Sequence, residues 1–506
     1  MFEKLLNAIG YTPIKKVETR INNLVNTFKR SFSAASTGNL YASWATSSYS
    51  GDQELKTDLS SIRARSRDLE NNNPYAKKVF GTVVRKVVGP NGIRLQAMTK
   101  DNNGNPDEAD NKALENHWAI WSKKGNCEVT GQYSFKDICS MVMRTTPRDG
   151  EILIRKVRNF NNPYRYALQL IEADHLDINF NDTTRNGNIV KMGIEFNSWG
   201  KPVAYHLFKQ HPGEYLMAGS GYNYGERVRI PADQIIHFHL KNRLSANRGV
   251  PWMHAAMTTL NMIGGYMEAE ITAARMGAAK MGFLKSSTGG TYNGDSTDTT
   301  TGYKINEVSP GEIEEIGNMD FVGFDPQHPT AAFEAFMKVL LRAVASAAEI
   351  GYTSLANDLE NANFSSLKMG EDDPRDFYRF MQQQLIEHLI VPVYEDWLKW
   401  AIVSGSLVNE FGVALPMSRY EKYLNVRWMP RGFRSIDAKE MLYDVMAVNA
   451  GLDSEMNIVA QRSGMDYEDI IADKAKAEAI RKKYGIKTDF DLKQLVESVK
   501  ESDENN

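Results

Sequence analysis

The strongest hydrophobic pattern lies between Pro251 and Lys285. Met253, Ala256, Leu260, Ile263, Met267, Ile271, Ala274, Ala278, Met281 and Leu284 recur every three or four residues, with no interior proline. This spacing predicts one apolar face along a helix of about 35 residues, or roughly 50 Å at 1.5 Å per residue. Gly264, Gly265, Gly277 and Gly282 lie inside it. Each costs about 1 kcal/mol against alanine in a helix, so close packing against another backbone is expected. Glu268, Glu270, Arg275 and Lys280 argue against a membrane span. A second helix is predicted from just after Pro329 to about Ile350. Phe333, Phe336, Met337, Leu340, Val344 and Ala347 form its apolar face. Glu334, Lys338, Arg342, Ser346 and Glu349 form a polar stripe on another face. Between the two helices, residues 286–302 are nearly all Ser, Thr, Gly, Asn and Asp, and read as a flexible loop. Residues 303–327 read as short strands around Pro310-Gly311, with Glu312, Glu314 and Glu315 close together.

The remaining pattern is mixed. Residues 1–35 are basic with loose helical spacing, and read either as a docking arm for an acidic partner or a membrane surface, or as an ordinary amphipathic helix. Residues 31–60, rich in Ser, Ala, Thr, Gly and Asp, read as a linker. Helices are expected at 73–87, from Asn73-Pro74 to Gly89-Pro90, near 108–121, and near 134–146, ending at Pro147. Ile93 to Gln96 alternates as a strand. Hairpins are expected for Glu151–Arg158 with Tyr166–Ile171, and for Lys191–Phe196 with Val203–Phe208. Ile235 to Leu240 adds a strand. Residues 351–373 show no strong period. Asp373-Pro374 then starts a helix toward 403 with a kink at Pro392. Three short helices follow Gly432, with Asp437, Ser454 and Asp466 as N-caps. The fold class is α+β.

Composition narrows the function. The 506 residues are 42% hydrophobic and 24% charged, which excludes a disordered, collagen-like or disulfide-dense chain. The formal net charge of −3 excludes coating of nucleic acid by bulk basicity. Cys127 and Cys139 are the only cysteines, which points to a reducing compartment. No run approaches the length of a transmembrane helix.

Chemistry is sparse. No segment matches a Walker phosphate loop, a nucleophile elbow or an HExxH zinc motif. His237 and His239 share one face of a strand, and His206 and His254 are possible companions in a metal site. A polar strand face explains them as well. Glu172, Asp174, His175 and Asp177 cluster at a strand end, where they either do acid–base or metal work or simply terminate the strand. No catalytic, cofactor or metal residue is assigned.

Several stretches, in order, resemble the portal protein of tailed bacteriophages of the lambda type. They are Arg63-Ala64-Arg65-Ser66-Arg67-Asp68-Leu69 with Asn72-Asn73-Pro74-Tyr75-Ala76 and Val88 to Ile93; Asp149-Gly150-Glu151-Ile152-Leu153 with Leu168 to Asp177; and Gly193-Ile194-Glu195-Phe196 with Trp199 to Tyr205. Pro231 to His237 leading to Arg248-Gly249-Val250-Pro251-Trp252, Phe324-Asp325-Pro326 with Phe333 to Phe336, and Trp428, Pro430 and Gly432 with Ser435-Ile436-Asp437 and Ala450-Gly451-Leu452 complete the set. Together they span about residues 60–470.

The resemblance implies a portal fold: a mixed α/β wing, two long stem helices bracketing a small clip, and a helical crown. Residues 1–60 are then the arm and linker, 61–250 the wing, 251–285 and 328–350 the stem, and 286–327 the clip. Residues 351–373 become the tunnel loop, 374–430 a wing helix and return, 431–486 the crown and 487–506 an acidic tail. The family implies a ring, normally of twelve subunits, at a capsid vertex of the virion, assembled in the bacterial cytoplasm. Double-stranded DNA passes through it without base readout. Its implied partners are the terminase large subunit, major capsid and scaffold proteins and head–tail completion proteins; no membrane, cofactor or enzymatic activity is implied. Candidate channel residues are Glu334, Lys338, Arg342, Ser346, Glu349, Ser365, Ser366 and Lys368, and candidate motor-docking residues are Lys304, Glu312, Glu314 and Glu315. The family's Asn-aromatic-Ser-Ser-Ala-Arg run reads Asn363 to Lys368 here, with Leu367 and Lys368 in the last two places, so an arginine-specific phosphate contact is not carried over. Readings from other classes are a metal-dependent nucleic-acid-processing enzyme and a monomeric adaptor.

Overall fold

The computed structural model describes residues 48–214, 225–278, 282–286, 296–297, 304–305, 319–323, 332–360, 364–433, 438–463 and 467–486. Helix α1 (Gly51–Asn72) starts where a linker is expected. Its polar first turns are pinned by distant chain. The Gly51 N–H donates to Ser245 Oγ at 2.9 Å, and Asp52 accepts from the Asn247 backbone and side chain at 2.7 and 2.6 Å. Helix α2 (Pro74–Val87) has the expected cap, with the Asn73 side chain accepting from the Tyr75 and Ala76 N–H groups. Strand β1 (Arg94–Ala97) and helix α3 (Glu108–Trp121) follow. Helix α4 (Phe135–Asp149) begins with a Ser134–Asp137 capping box and runs past Pro147 to Gly150, whose φ is 89°. The proline forfeits only one N–H in the final turn, so it does not stop the helix where the sequence places the end.

Strands β2 (Glu151–Arg158) and β3 (Tyr166–Ile171) form the expected hairpin. A five-stranded antiparallel sheet follows in chain order: β4 (Asp182–Thr183), β5 (Ile189–Lys191), β6 (Ile194–Phe196), β7 (Pro202–Phe208) and β8 (Arg227–Pro231). Strand β9 (Ile235–His239) returns to the free edge of β2. β2 is buried on both faces at its start. Ile152 and Ile154 enter the main core, and Leu153 enters a second core with Leu176, Ile194, Tyr205 and Leu207. The period of two therefore sends apolar groups to two cores rather than separating core from solvent.

Helix α5 (Met257–Ala278) has 22 residues, shorter than its apolar spacing predicts. Beyond it, Gly282 to Ser286 is strand β10, not helix. After β11 (Ser296–Thr297) and β12 (Lys304–Ile305), strand β13 (Met319–Gly323) pairs antiparallel with β10, Gly282 opposite Gly323. Met281 and Leu284 fit a helical spacing, but two positions do not outweigh a strand partner some 40 residues on. Helix α6 (Ala332–Ala347) is the second predicted long helix, trimmed at both ends. The short helix α7 (Tyr352–Ala356) follows.

Helix α8 (Phe364–Leu385) begins ten residues before the expected Asp373-Pro374 start and contains Pro374. The carbonyl that loses its bond to Pro374 belongs to Gly370, which is exposed to water. The kink expected at Pro392 takes the form of a π turn, Ile386–Ile390, leading into α9 (Val391–Val403). Helix α10 (Tyr420–Tyr423) leads to strand β14 (Val426–Met429), which pairs antiparallel with β1, Trp428 opposite Leu95. Trp118 lies at the centre of the main core, with ring centroids 4.9 to 5.7 Å from Trp121, Phe135, Tyr394, Trp397 and Trp428. The chain continues through α11 (Ala438–Asn449), α12 (Glu455–Ser463) and α13 (Tyr467–Lys483). Ser454 caps α12 as expected, accepting from the Asn457 N–H; the caps at Asp437 and Asp466 lie outside the described residues.

Candidate functional site

The polar stripe of α6 is where the structure places most of the candidate channel residues. On a 3.6-residue helix each i, i+4 step turns by about 40°, so Glu334, Lys338, Arg342 and Ser346 stay within an arc of about 120° on one side of α6, whereas Glu349, expected in the same helix, lies past its end with φ at 53°. Glu334, Arg342, Ser346 and Glu349 are exposed. Lys338 sits at the centre of three carboxylates: Glu334, one turn before it, Glu360 at 3.5 Å and Asp358 at 3.8 Å. The hydrogen bond that it donates to Glu334 raises its pKa. The Arg342 guanidinium lies over the Tyr352 ring, 5.3 Å from the centroid, and the Tyr352 hydroxyl donates to Asp358 at 2.8 Å. A cleft of about 610 Å³ at the foot of α6 is lined by Arg342, Ser346, Glu349, Tyr352, Gly370 and Pro374. The stripe is therefore an alternation of small, locally balanced charges, not a basic track.

The other candidates are less defined. Ser365, Ser366 and Lys368 fall in the first turns of α8, and their side chains lie outside the described residues. The backbone of Lys304 pairs with Thr297. Glu312, Glu314 and Glu315 lie outside the described residues, as does residue stretch 1–47 with the basic arm.

The four histidines do not converge. His237 Nε2 is 2.9 Å from Glu151 Oε2. His206 Nε2 faces Glu195 at 3.3 Å, and His254 Nδ1 faces its own turn at the Pro251 carbonyl. Burial, with His237 alongside, holds the His239 pKa down to about 3. Of the acidic group, Glu172 and Asp174 meet His211 instead of His175 and Asp177. Asp174 is also ion-paired to Arg67, and Asp177 to Arg227 at 2.7 Å.

What the sequence reading missed is the charge network that joins the entry to α5 to α1 and β2. Glu151 is fully buried, and accepts from Arg63, from Arg248 Nε at 2.7 Å, from the Gly249 N–H at 2.8 Å and from His237. Burial alone would raise its pKa, but Arg248, Arg63 and His237 hold it well below the ordinary value of 4.5. Arg248 also donates to the Leu176 and Met192 carbonyls at 3.2 and 2.9 Å. Arg63 Nε reaches the Asp149 carbonyl at 2.8 Å, while Arg67 and Arg148 bind the Asp149 carboxylate at 2.9 and 2.8 Å. The network thus joins α1, the end of α4, β2, β9 and the segment entering α5. The sequence shows its members only separately, as Arg63 and Arg67 one helical turn apart and as the distant stretches Asp149-Gly150-Glu151 and Arg248-Gly249, with no local signal that pairs them.

The family follows from comparison. Residues 37–382 match the model of the phage portal protein, lambda family, and the chain belongs to that family. It is 33% identical over 453 residues to the probable portal protein of Halomonas phage phiHAP-1, covering 88% of this chain and 85% of the relative. Among solved structures it is similar to the neck of the native GTA particle computed with C12 symmetry, at 12% identity over 84% of this chain and 98% of the other, with a TM-score of 0.42. The neck of the empty GTA particle computed with C6 symmetry gives 14% identity over 85% and 98%, with a TM-score of 0.40.

Proposed function

We propose that the chain is the subunit of a homo-oligomeric ring, twelve copies by family precedent, that forms the DNA conduit of a phage capsid vertex and docks the packaging motor and the head–tail completion proteins. The observation that carries this reading, beside family membership, is the unpartnered stem. The root of α5 is buried through Met257, Leu260 and Ile263. On the other side of the same turns Met262 is 66% exposed, further along Ile271 is 50% exposed, and on α6 Phe336 is 50% and Val339 59% exposed. A Cβ on Gly264 or Gly265 meets open space. Among the described residues the expected backbone neighbour of these glycines is missing. Adjacent subunits supply it in a closing, heterologous interface.

In this reading the α6 stripe lines the channel, with Ser365, Ser366 and Lys368 of α8 at the tunnel. DNA carries one charge per about 1.7 Å of axis. A uniformly basic wall would hold such a rod. A wall whose lysine is shared among Glu334, Asp358 and Glu360 attracts it weakly and lets it slide. Lys304, Glu312, Glu314 and Glu315 serve as motor-facing residues of the clip. The energy comes from the motor, since the chain has no nucleotide-binding motif. The test is the mass of the native particle, with electron microscopy of the same sample. A particle near twelve times 57.0 kDa, or a neighbouring multiple, with an axial hole supports the reading. A monomer or dimer at every concentration and salt rejects it.

A further inference from the structure

A cleft of about 710 Å³ opens between β1, the end of α3 and the start of α4. Its floor is apolar: Leu95, Trp118, Phe135 and Cys139, each less than a tenth exposed. Its rim is cationic: Arg94, Lys123, Lys124 and Lys136, all exposed. Among the described residues none of these four cations forms an ion pair, and Lys136 reaches only the Pro90 carbonyl, at 3.5 Å. Glu115, the carboxylate of the lining, is occupied by the Ala97 N–H at 2.9 Å. The buried Ser122 hydroxyl, also part of the lining, has no partner among the described residues. Four cations without an ion pair among the described residues, two of them near the Asp137 carboxylate, surround an aromatic floor and select an acidic segment carrying an aromatic or aliphatic anchor.

The chain contains such a segment. Residues 487–506 hold six acids and three lysines, and Phe490 stands between Asp489 and Asp491. The segment is tethered close by. β14 pairs with β1, and Arg427 of β14 binds Asp473 of α13 at 2.6 Å. Arg427 is opposite Gln96 and two positions from Met429, which is opposite the rim residue Arg94, and the six residues from Tyr484 to Asp489 extend up to about 20 Å beyond α13. We propose that this cleft receives the acidic segment 487–506, with Phe490 against Trp118 and Phe135, and Asp489 and Asp491 among the rim lysines. The inference does not depend on the ring reading, since a segment from the same or an adjacent copy satisfies it.

The experiment uses the full chain with the photo-reactive p-benzoylphenylalanine in place of Phe490. After irradiation, cross-linked peptides are mapped by mass spectrometry. Cross-links to peptides containing 91–95, 118–124 or 134–139 are expected. Their yield should fall about tenfold in Lys123→Glu with Lys124→Glu, and recover when Asp489→Lys and Asp491→Lys are added. The lysines are exposed, so the thermal midpoint of the variant checks that the fold is intact. Cross-links confined to other regions, or a yield indifferent to the charge reversal, overturn the proposal.

Discussion

Gly150 and Gly249 meet backbone to backbone where the end of α4 passes the segment leading into α5. A Cβ on either would lie closer to the other's carbonyl oxygen than any side-chain carbon can approach. Gly150 also holds φ at 89°, in the left-handed region. These two glycines let Arg248 and Glu151, their chain neighbours, come together. Gly249→Ala should therefore destabilise the protein by about 3 kcal/mol, through forced displacement of a packed backbone. Gly200→Ala should cost less. Its φ is also positive, at 74°, but a Cβ there meets open space. Urea unfolding of both variants checks the difference, and equal midpoints would show that contact between the two backbones is unimportant.

The same junction predicts the effect of removing its central charge. Glu151→Gln keeps the shape but leaves Arg63 and Arg248, both about 1% exposed, without their shared carboxylate. Breaking a buried pair in this way costs about 3–5 kcal/mol. Glu195 lies in a comparable position in the five-stranded sheet, but its partner Arg229 is half exposed. Arg229→Ala should therefore cost about 1 kcal/mol or less. Chemical denaturation, read by the tryptophan signal of the core, gives the ranking.

Acid weakens the fold through several groups with the same sign, among them His239 and Glu151, while His206 and Glu195 shift in the same direction. In the folded chain burial holds His239 neutral down to about 3, whereas its ordinary value is 6.5. Between those values the unfolded state binds more protons, so stability falls as pH drops through that window. The contribution of Glu151 is complete above its ordinary value of 4.5 and is lost as pH falls below it. Thermal midpoints should be level above about pH 7 and decline from about pH 6.5 downward. His239→Asn should flatten the decline between 6.5 and 4.5 and leave the lower part. An unchanged slope in that interval would remove His239 from the explanation.

Local chemistry made much of the fold legible. Asn73-Pro74, the Ser134–Asp137 box and the Glu151–Ile171 hairpin form where their residues indicate. Tertiary contacts defeated the pattern elsewhere. Polar Asp52 reads as linker until Asn247 is found against it. Leu284 reads as helix until Phe321 is found opposite it. The candidate stripe was legible as a helical face, because spacing alone places Glu334, Lys338 and Arg342. The buried ion network was not, because Arg63, Glu151 and Arg248 are far apart in sequence and no local rule pairs them.

The stem gives the sharpest test of assembly. Met262 and Phe336 are large, apolar and at least half exposed in the single chain. Placing a charge at an exposed position changes the stability of the isolated chain by about 0.5 kcal/mol or less. Burying the same charge between subunits costs several kcal/mol in each interface, and a ring repeats that cost at each contact. Met262→Glu with Phe336→Glu should leave the circular dichroism and thermal midpoint of the chain unchanged while abolishing the large particle. Ser346→Asp lies on the polar stripe, which in the proposed ring faces the channel, so it should leave the particle mass intact. Light scattering at matched concentration separates the two. Loss of the particle in Ser346→Asp, with retention in the double variant, would reverse the assignment of the two faces of α6.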